Sequence, residues 1–242
     1  GVTKRNSIID VVRLENALRE ELNKTSLRVL CVIDPVKIII TNYPKDNTEM
    51  IQAINNPENP DSGYREIPFS REIYIERSDF MEDPPRKFFR LSLGKEVRLR
   101  YAYFITCVDI IKNDNNEIEE IHCTYDPKSR GGKSPDGRKV KGTLHWVCAK
   151  NAVDAQVRLF DRLFEKEEPE KEGNFLEALN PNSCEIFDNA KLEPSMDSAR
   201  DFTYQFERLG YFKKDNKLDK IEKNIFIRVV SLRDSWAKMN KK

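Results

Sequence analysis

"VRLRYAYFITCVDIIKNDNNEIEEIHCTY", Val97 to Tyr125, decides the fold. Runs rich in Val, Ile, Thr and aromatic residues flank the polar cluster Asn113-Asp114-Asn115-Asn116. Branched and aromatic side chains suit a pleated sheet, and Asn and Asp suit a tight turn, so the stretch predicts a β-hairpin. At its start Val97, Leu99 and Tyr101 share one strand face, and Arg98 and Arg100 the other.

Strand signals continue upstream. In REIYIERSDF, Arg71 to Phe80, Ile73 and Ile75 alternate with Glu72, Tyr74 and Glu76. Phe89, Leu91 and Leu93 share one parity, which assigns Phe89 to the core, and Phe88, Arg90 and Ser92 share the other. RVLCVIDPVKIIITNYP, Arg28 to Pro44, predicts two strands, or one bent at Asp34-Pro35. Before it comes a helix, with Ser7 and Asp10 in a capping arrangement, Val11, Leu14, Leu18 and Leu22 at helical spacing, and an end around Asn23.

Downstream, Pro127 to Lys139 is a polar loop with Gly-Gly and Pro-Asp-Gly turns, and VKGTLHWVCA, Val140 to Ala149, predicts a strand. A second helix is expected from Asn151, with Val153, Val157, Phe160 and Phe164 as its apolar face. EKEEPEKEG, Glu165 to Gly173, is an acidic linker, and short strands follow around SCEIFD, TYQFERLGYF and KNIFIRVVSLRDSWA. The whole predicts a mainly β chain with strands enough for two small barrels.

Composition narrows the function classes. The chain has 242 residues, a formal net charge of +1 and 34% charged residues. No apolar run approaches the roughly 20 residues of a membrane helix, and GVTKRNSIID at the start has no apolar core of a secretion signal. Cys31, Cys107, Cys123, Cys148 and Cys184 are scattered without metal-ligand spacing, which predicts a reducing compartment and core positions for most of these thiols. His122 and His145 each stand alone, which predicts structural roles. Gly131-Gly132-Lys133-Ser134 lacks the upstream glycine of a phosphate loop. No catalytic residue and no metal site is nominated.

Charge is asymmetric along the chain. Arg86, Lys87, Arg90, Lys95, Arg98 and Arg100 crowd into eighteen residues against Glu96 alone, interleaved with Phe88, Phe89, Tyr101 and Tyr103. Lysines mixed with acids protect sheet edges. Here arginines dominate, and a planar guanidinium can grip phosphates and base edges with paired bonds. An aromatic on the same surface, with Phe88 as the candidate, would add a stacking face for a splayed base.

The chain resembles the C-terminal part of the glutaminyl-tRNA synthetase family. The resemblance rests on VIDPVK (Val32 to Lys37), LGKEVRLR (Leu93 to Arg100), CTYD (Cys123 to Asp126), DGRKVKG (Asp136 to Gly142), HWV (His145 to Val147), VRLFDRLF (Val157 to Phe164), QFERLGYF (Gln205 to Phe212) and SLRDSWAK (Ser231 to Lys238). Glutamyl-tRNA synthetases, the alternative, share some of these. The resemblance implies a helical lead-in over residues 1–26, then two β-barrels with swapped strands, of an anticodon-binding kind also seen in a ribosomal protein. The distal barrel would use residues 38–142, and the proximal barrel residues 27–37 and 143–242. The family's HIGH-like and KMSKS-like motifs are absent, and Lys238-Met239-Asn240-Lys241-Lys242 is read as a basic tail. The chain would therefore be inactive alone and need no cofactor, while the full-length class I glutamine–tRNA ligase would use ATP with magnesium. The implied partners are tRNA(Gln) and the catalytic domain of the same polypeptide, in a cytoplasmic monomer away from membranes.

Site residues follow from the same resemblance. Arg28 would reach the middle anticodon base, in a pocket shared with Gln205, with Arg208 nearby. Arg90 would read the third base, a guanine whose O6 and N7 suit a guanidinium. Arg98 and Arg100 would take the first base and its phosphates, and Asn23 the anticodon stem. Bacterial members can carry Lys and Gln where this chain has Phe89 and Lys87.

Overall fold

The structure, a computed structural model, describes residues 11–134, 136–166, 174–197, 202–215 and 224–233. Ser7 and Asp10, linker residues 167–173 and the tail from Lys238 lie outside these. The amphipathic run forms helix α1, Val11–Thr25. Leu18 and Leu22 are half-buried while Leu14 is exposed. Helix C-termini leave carbonyls without intrahelical donors. Here the buried amide of Asn56 supplies them, with Nδ2 3.2, 3.0 and 3.0 Å from the carbonyls of Asn23, Lys24 and Ser26.

Sixteen strands follow among the described residues. The first nine are β1 (Leu27–Val29), β2 (Cys31–Val32), β3 (Pro35–Ile40), β4 (Thr48–Ile54), β5 (Tyr64–Ser70), β6 (Glu72–Glu76), β7 (Glu96–Leu99), β8 (Phe104–Lys112) and β9 (Ile118–Asp126). The rest are β10 (Thr143–Leu144), β11 (Val147–Cys148), β12 (Val153–Phe160), β13 (Cys184–Leu192), β14 (Thr203–Phe206), β15 (Gly210–Lys214) and β16 (Asn224–Ser231). They build two seven-stranded sheets and the two-stranded β4–β5 hairpin.

Both large sheets curl into barrels, and their strand orders explain how. One runs β1-β14-β15-β16-β12-β13-β2, so its two edges are consecutive in the chain. The other runs β10-β7-β8-β9-β3-β6-β11, and its edges are again consecutive. A strand bent at Leu30, or at His145-Trp146, serves both edges of its sheet. Closure of this kind leaves little free edge. The second barrel, with β4–β5 packed on its core, is inserted between β2 and β12 of the first, which is here called the host.

The segment Val29–Ile33 belongs to both barrels. Val29, Cys31 and Ile33 enter the host core, and Leu30 and Val32 the inserted core. Strand period two makes this possible, since successive side chains point oppositely. Bending between sheets strands backbone N–H groups, which are costly if buried unpaired. Two buried carboxylates take them. Glu193 Oε2 accepts from Leu30 N at 2.8 Å, and Glu76 accepts from Ile33 N at 2.7 Å and Asp34 N at 3.1 Å. Arg65 neutralises Glu193, with Nε 2.5 Å and Nη2 2.9 Å from its oxygens. Burial pushes the Cys31 thiol well up, and Glu76 and Glu193 add to the shift.

Several expectations are corrected. The helix expected from Asn151 is β12, paired with β13 and β16. Ala155 and Val157 are buried and Phe160 is exposed, so period two governs the segment. The expected strand VKGTLHWVCA is two short strands, β10 and β11. The strand at VRLRY stops at Leu99, because Tyr101 turns to φ 65°. Residues 84–93 form no strand, and Phe89 and Leu93 are exposed at 53% and 57%, so Phe89 is not core. The sheets also divide at other points than 37/38 and 142/143. Residues 35–37 and 143–148 pair within the inserted barrel.

Candidate nucleic-acid interface

The seam between the barrels gathers most of the candidate residues. At one end β1 and β14 run parallel with Arg28 opposite Gln205. Asn23, from the last turn of α1, accepts from Arg28 Nη2 at 2.9 Å. Arg28 Nε and Gln205 Oε1 are buried with no hydrogen-bond partner among the described residues. Burying a polar atom unpaired costs about 1–3 kcal/mol. A donor and an acceptor left unpaired on paired strands suit a ligand edge carrying both, as uracil's N3–H and carbonyls do. A cavity of about 440 Å³ elsewhere, lined by Lys37, Lys45, Arg71 and Lys150, touches none of the candidates. One of about 310 Å³ opens beside Arg28, Arg65, Phe202 and Tyr204.

The turn after β14 joins the barrels. Glu207, nearly buried, accepts from the Tyr101 hydroxyl at 2.6 Å, and its other oxygen lies 3.0 Å from Arg100 Nε. That second contact is an ion pair without hydrogen-bond alignment. The Arg100 guanidinium also lies over the Tyr101 ring, 4.8 Å from its centre. Burial, reinforced by Glu207, pushes the Tyr101 hydroxyl up to about 12, so it stays a neutral donor.

Arg208 follows at φ 69°, a backbone region non-glycine residues seldom adopt. Its guanidinium grips Asp79 of the inserted barrel, with Nη1 2.6 Å from Oδ2 and Nη2 2.8 Å from Oδ1. Arg90 Nε lies 3.2 Å from the same Asp79 Oδ1, and Arg90 Nη1 donates to the Ser78 carbonyl at 2.9 Å. Arg208 Nη1 is also 3.2 Å from His145 Nδ1, and His145 Nε2 is 3.3 Å from Glu76 Oε1. His145 is thus a buried structural histidine, and His122 pairs on the surface with Glu120 at 3.4 Å.

Arg98 lies further along the strand. Its guanidinium and that of Arg138 sit 5.3 and 5.1 Å from the centre of the Phe104 ring. Arg138 is held by Glu96, Asp126 and Asp136. Arg138, with help from Ser134, holds the Asp136 carboxyl down at about 2. Arg98 Nε is buried and unpaired among the described residues. Beside this row Arg86, Lys87, Phe89 and Arg90 are exposed, and Lys141 Nζ stands 5.0 Å over the Phe89 ring. Phe88, the expected stacking face, is half-buried, so Phe89 is the aromatic open to a ligand.

The fold therefore brings Asn23, Arg28 and Gln205 together, and Arg90 with Arg208, with Arg100 beside them on Glu207. Arg98 joins a separate network. Sequence reasoning missed Asp79, Glu207 and Tyr101. A buried acid has no local signature, since its warrant is a cation distant in sequence. Among the described residues no group of three or more His, Cys, Asp or Glu could hold a metal ion. No described helix is long and apolar enough to cross a membrane.

Comparison with known proteins agrees with this geometry. Two profiles described as tRNA synthetases class I (E and Q), anti-codon binding domain, match residues 26–126 and 143–215. Glutamine–tRNA ligase of Bradyrhizobium diazoefficiens is 51% identical over 98% of this chain and 42% of its own length. That of Nitrobacter winogradskyi is 51% identical over 99% of this chain and 43% of its own length. That of Rhodopirellula baltica is 48% identical over the whole chain and 41% of its own length. The chain spans about two fifths of the length of the curated relatives it matches. With its paired barrels and the arginine row along their seam, it belongs to the anticodon-binding domains of the class I (E and Q) tRNA synthetases.

Proposed function

We propose that this chain reads the anticodon of tRNA(Gln) as part of a glutamine–tRNA ligase. The observation that carries the reading is the seam itself. Arg28, Arg90 and Arg100 lie along it and Arg98 further along the inserted barrel, with donors and an acceptor left unpaired among the described residues. Single-stranded loop bases expose edges that a duplex hides, and guanidinium edges with an open aromatic suit them. In this reading Arg28 and Gln205 take the middle base, Arg90 the third, and Arg98 and Arg100 the first base and its phosphates. Asn23 lies toward the stem, Arg208 supports the middle pocket, and Phe89 offers a stacking face beside Arg90. The relatives' name, glutamine–tRNA ligase, supports tRNA(Gln) over other tRNAs. ATP and magnesium would serve a catalytic domain elsewhere in the same polypeptide, in a cytoplasmic monomer, and this part alone would not activate glutamine.

The test is binding to a glutamine-type anticodon stem-loop at fixed salt, against the same hairpin with its third base changed. Discrimination of tenfold or more is expected. Arg90→Ala should cost about 1–3 kcal/mol against the cognate hairpin and less against the changed one. Affinity should fall with salt, with a slope reduced by roughly one for each phosphate contact removed. Equal loss against both hairpins would remove base reading from Arg90.

A further inference from the structure

Asp79 is 1% exposed, yet two arginines meet on its carboxylate. They come from different barrels. Arg90 lies in the loop before β7, and Arg208 in the turn after β14. A guanidinium has five N–H donors in a fixed fork. Arg208 commits both Nη nitrogens to Asp79 and points Nη1 at His145 as well. That leaves its Nε without a partner among the described residues and makes it more anchor than reader. Arg90 turns Nε toward Asp79 and one Nη1 hydrogen to the Ser78 carbonyl. Its Nη2 has no partner among the described residues, and with the second Nη1 hydrogen it is what remains to meet the acceptors of a base.

The anchor is itself fixed. His145 Nδ1 can accept from Arg208 only when its proton sits on Nε2, which then faces Glu76. Glu76 in turn holds the backbone of the segment shared by the barrels, through Ile33 N. Asp79 therefore orients both guanidiniums from a frame tied to both barrels.

We propose that Asp79 is a positioning residue that sets the edge Arg90 presents to the third base and couples it to the middle-base pocket at Gln205–Arg208. This rests on the anticodon reading above. Without the carboxylate Arg90 keeps only the Ser78 carbonyl and Arg208 only His145, one contact each, which leaves the guanidinium planes free to turn. With one arginine gone, the carboxylate re-pairs with the other and turns it. The two sites are then linked through a shared partner, and reciprocal coupling follows.

The test uses Asp79→Asn, which keeps the shape and one acceptor but removes the charge. The chain is titrated with three hairpins: the cognate anticodon stem-loop, one with the third base changed and one with the middle base changed. Asp79→Asn should lose discrimination at both positions together, by roughly 5-fold or more at each, within the usual range of coupling. Arg90→Ala should lose it mainly at the third. Discrimination unchanged in Asp79→Asn, or lost at one position alone, overturns the inference while the anticodon reading stands. A wild-type chain that binds all three hairpins equally overturns that reading, and the inference with it. Should thermal melts show Asp79→Asn unfolded, Arg90→Lys, Arg208→Lys and their double variant carry the test. Their effects on cognate affinity should differ from the product of the singles by roughly 5-fold or more, and simple multiplication overturns the coupling.

Discussion

Tyr101 and Arg208 both hold left-handed backbone, at φ 65° and 69°, and both end on a buried carboxylate across the seam. Such a conformation costs a non-glycine residue about 1–3 kcal/mol and persists only where its surroundings enforce it. Glu207 enforces it at Tyr101 through the hydroxyl bond. Tyr101→Phe leaves that Glu207 oxygen without its donor, and should lower stability by about 1–3 kcal/mol, read as a shift in the urea midpoint with unchanged slope. The effect has a pH signature. Burial, then Glu207, raises the Tyr101 hydroxyl from 10.0 to about 12. A raised pKa stabilises below its unfolded value, and that stability fades as pH climbs through the folded one. The gap between wild type and Tyr101→Phe should therefore be constant up to about pH 10 and shrink toward pH 12. A gap independent of pH would mean that Glu207 does not hold the hydroxyl. None of this was legible at Tyr101 in the sequence. Its parity predicted a core face, and the half-buried ring does pack against the inserted core, but its hydroxyl is held by a residue 106 positions away.

Elements were legible where one period dominated. The β8–β9 hairpin and its Asn-Asp-Asn-Asn turn, the break at Asp34-Pro35 and the short strands around TYQFERLGYF all appear. The segment after Asn151 was not, because Val153 and Val157 lie four apart and fit a helical stripe and an even strand face alike. Its partners β13 and β16 decided the matter, and they lie far along the chain. The Arg90 loop failed differently, since it takes its shape from a neighbour. A Cβ at Gly142 would stand 2.5 Å from the Phe89 carbonyl oxygen, closer than any real contact. The loop bearing Phe89 and Arg90 thus lies directly on the segment leading into β10. Gly142→Ala should push that loop away, and weaken third-base discrimination while leaving the middle base read as before. A variant that keeps full third-base discrimination would show that the loop position does not matter for Arg90.

Two barrels would ordinarily unfold separately if a flexible linker joined them, since small domains are cooperative units. Here one segment supplies side chains to both cores, alternating from Val29 to Ile33. Composition and strand count gave the pair of barrels. The division of the chain between them was hidden, because it depends on which core each of five successive residues enters. The seam adds Arg65–Glu193, Arg208–Asp79 and Tyr101–Glu207 between residues of different barrels. Breaking a buried pair by removing one partner is costly, so neither barrel can open while its neighbour stays intact without stranding a buried carboxylate. Leu30→Ala, which empties a site in the inserted core alone, should cost about 2–5 kcal/mol. The loss should be felt in both barrels. Hydrogen exchange would accelerate at the β14–β16 amides of the host barrel as much as at β8 and β9 of the inserted one. Trp146, fully buried in the inserted core, reports that barrel by fluorescence, and its transition should coincide with the host's exchange. Acceleration confined to the inserted barrel, or two separate transitions, would make the shared segment a mere connector. The seam that lines up the arginines would then have to be held by ligand rather than by the fold.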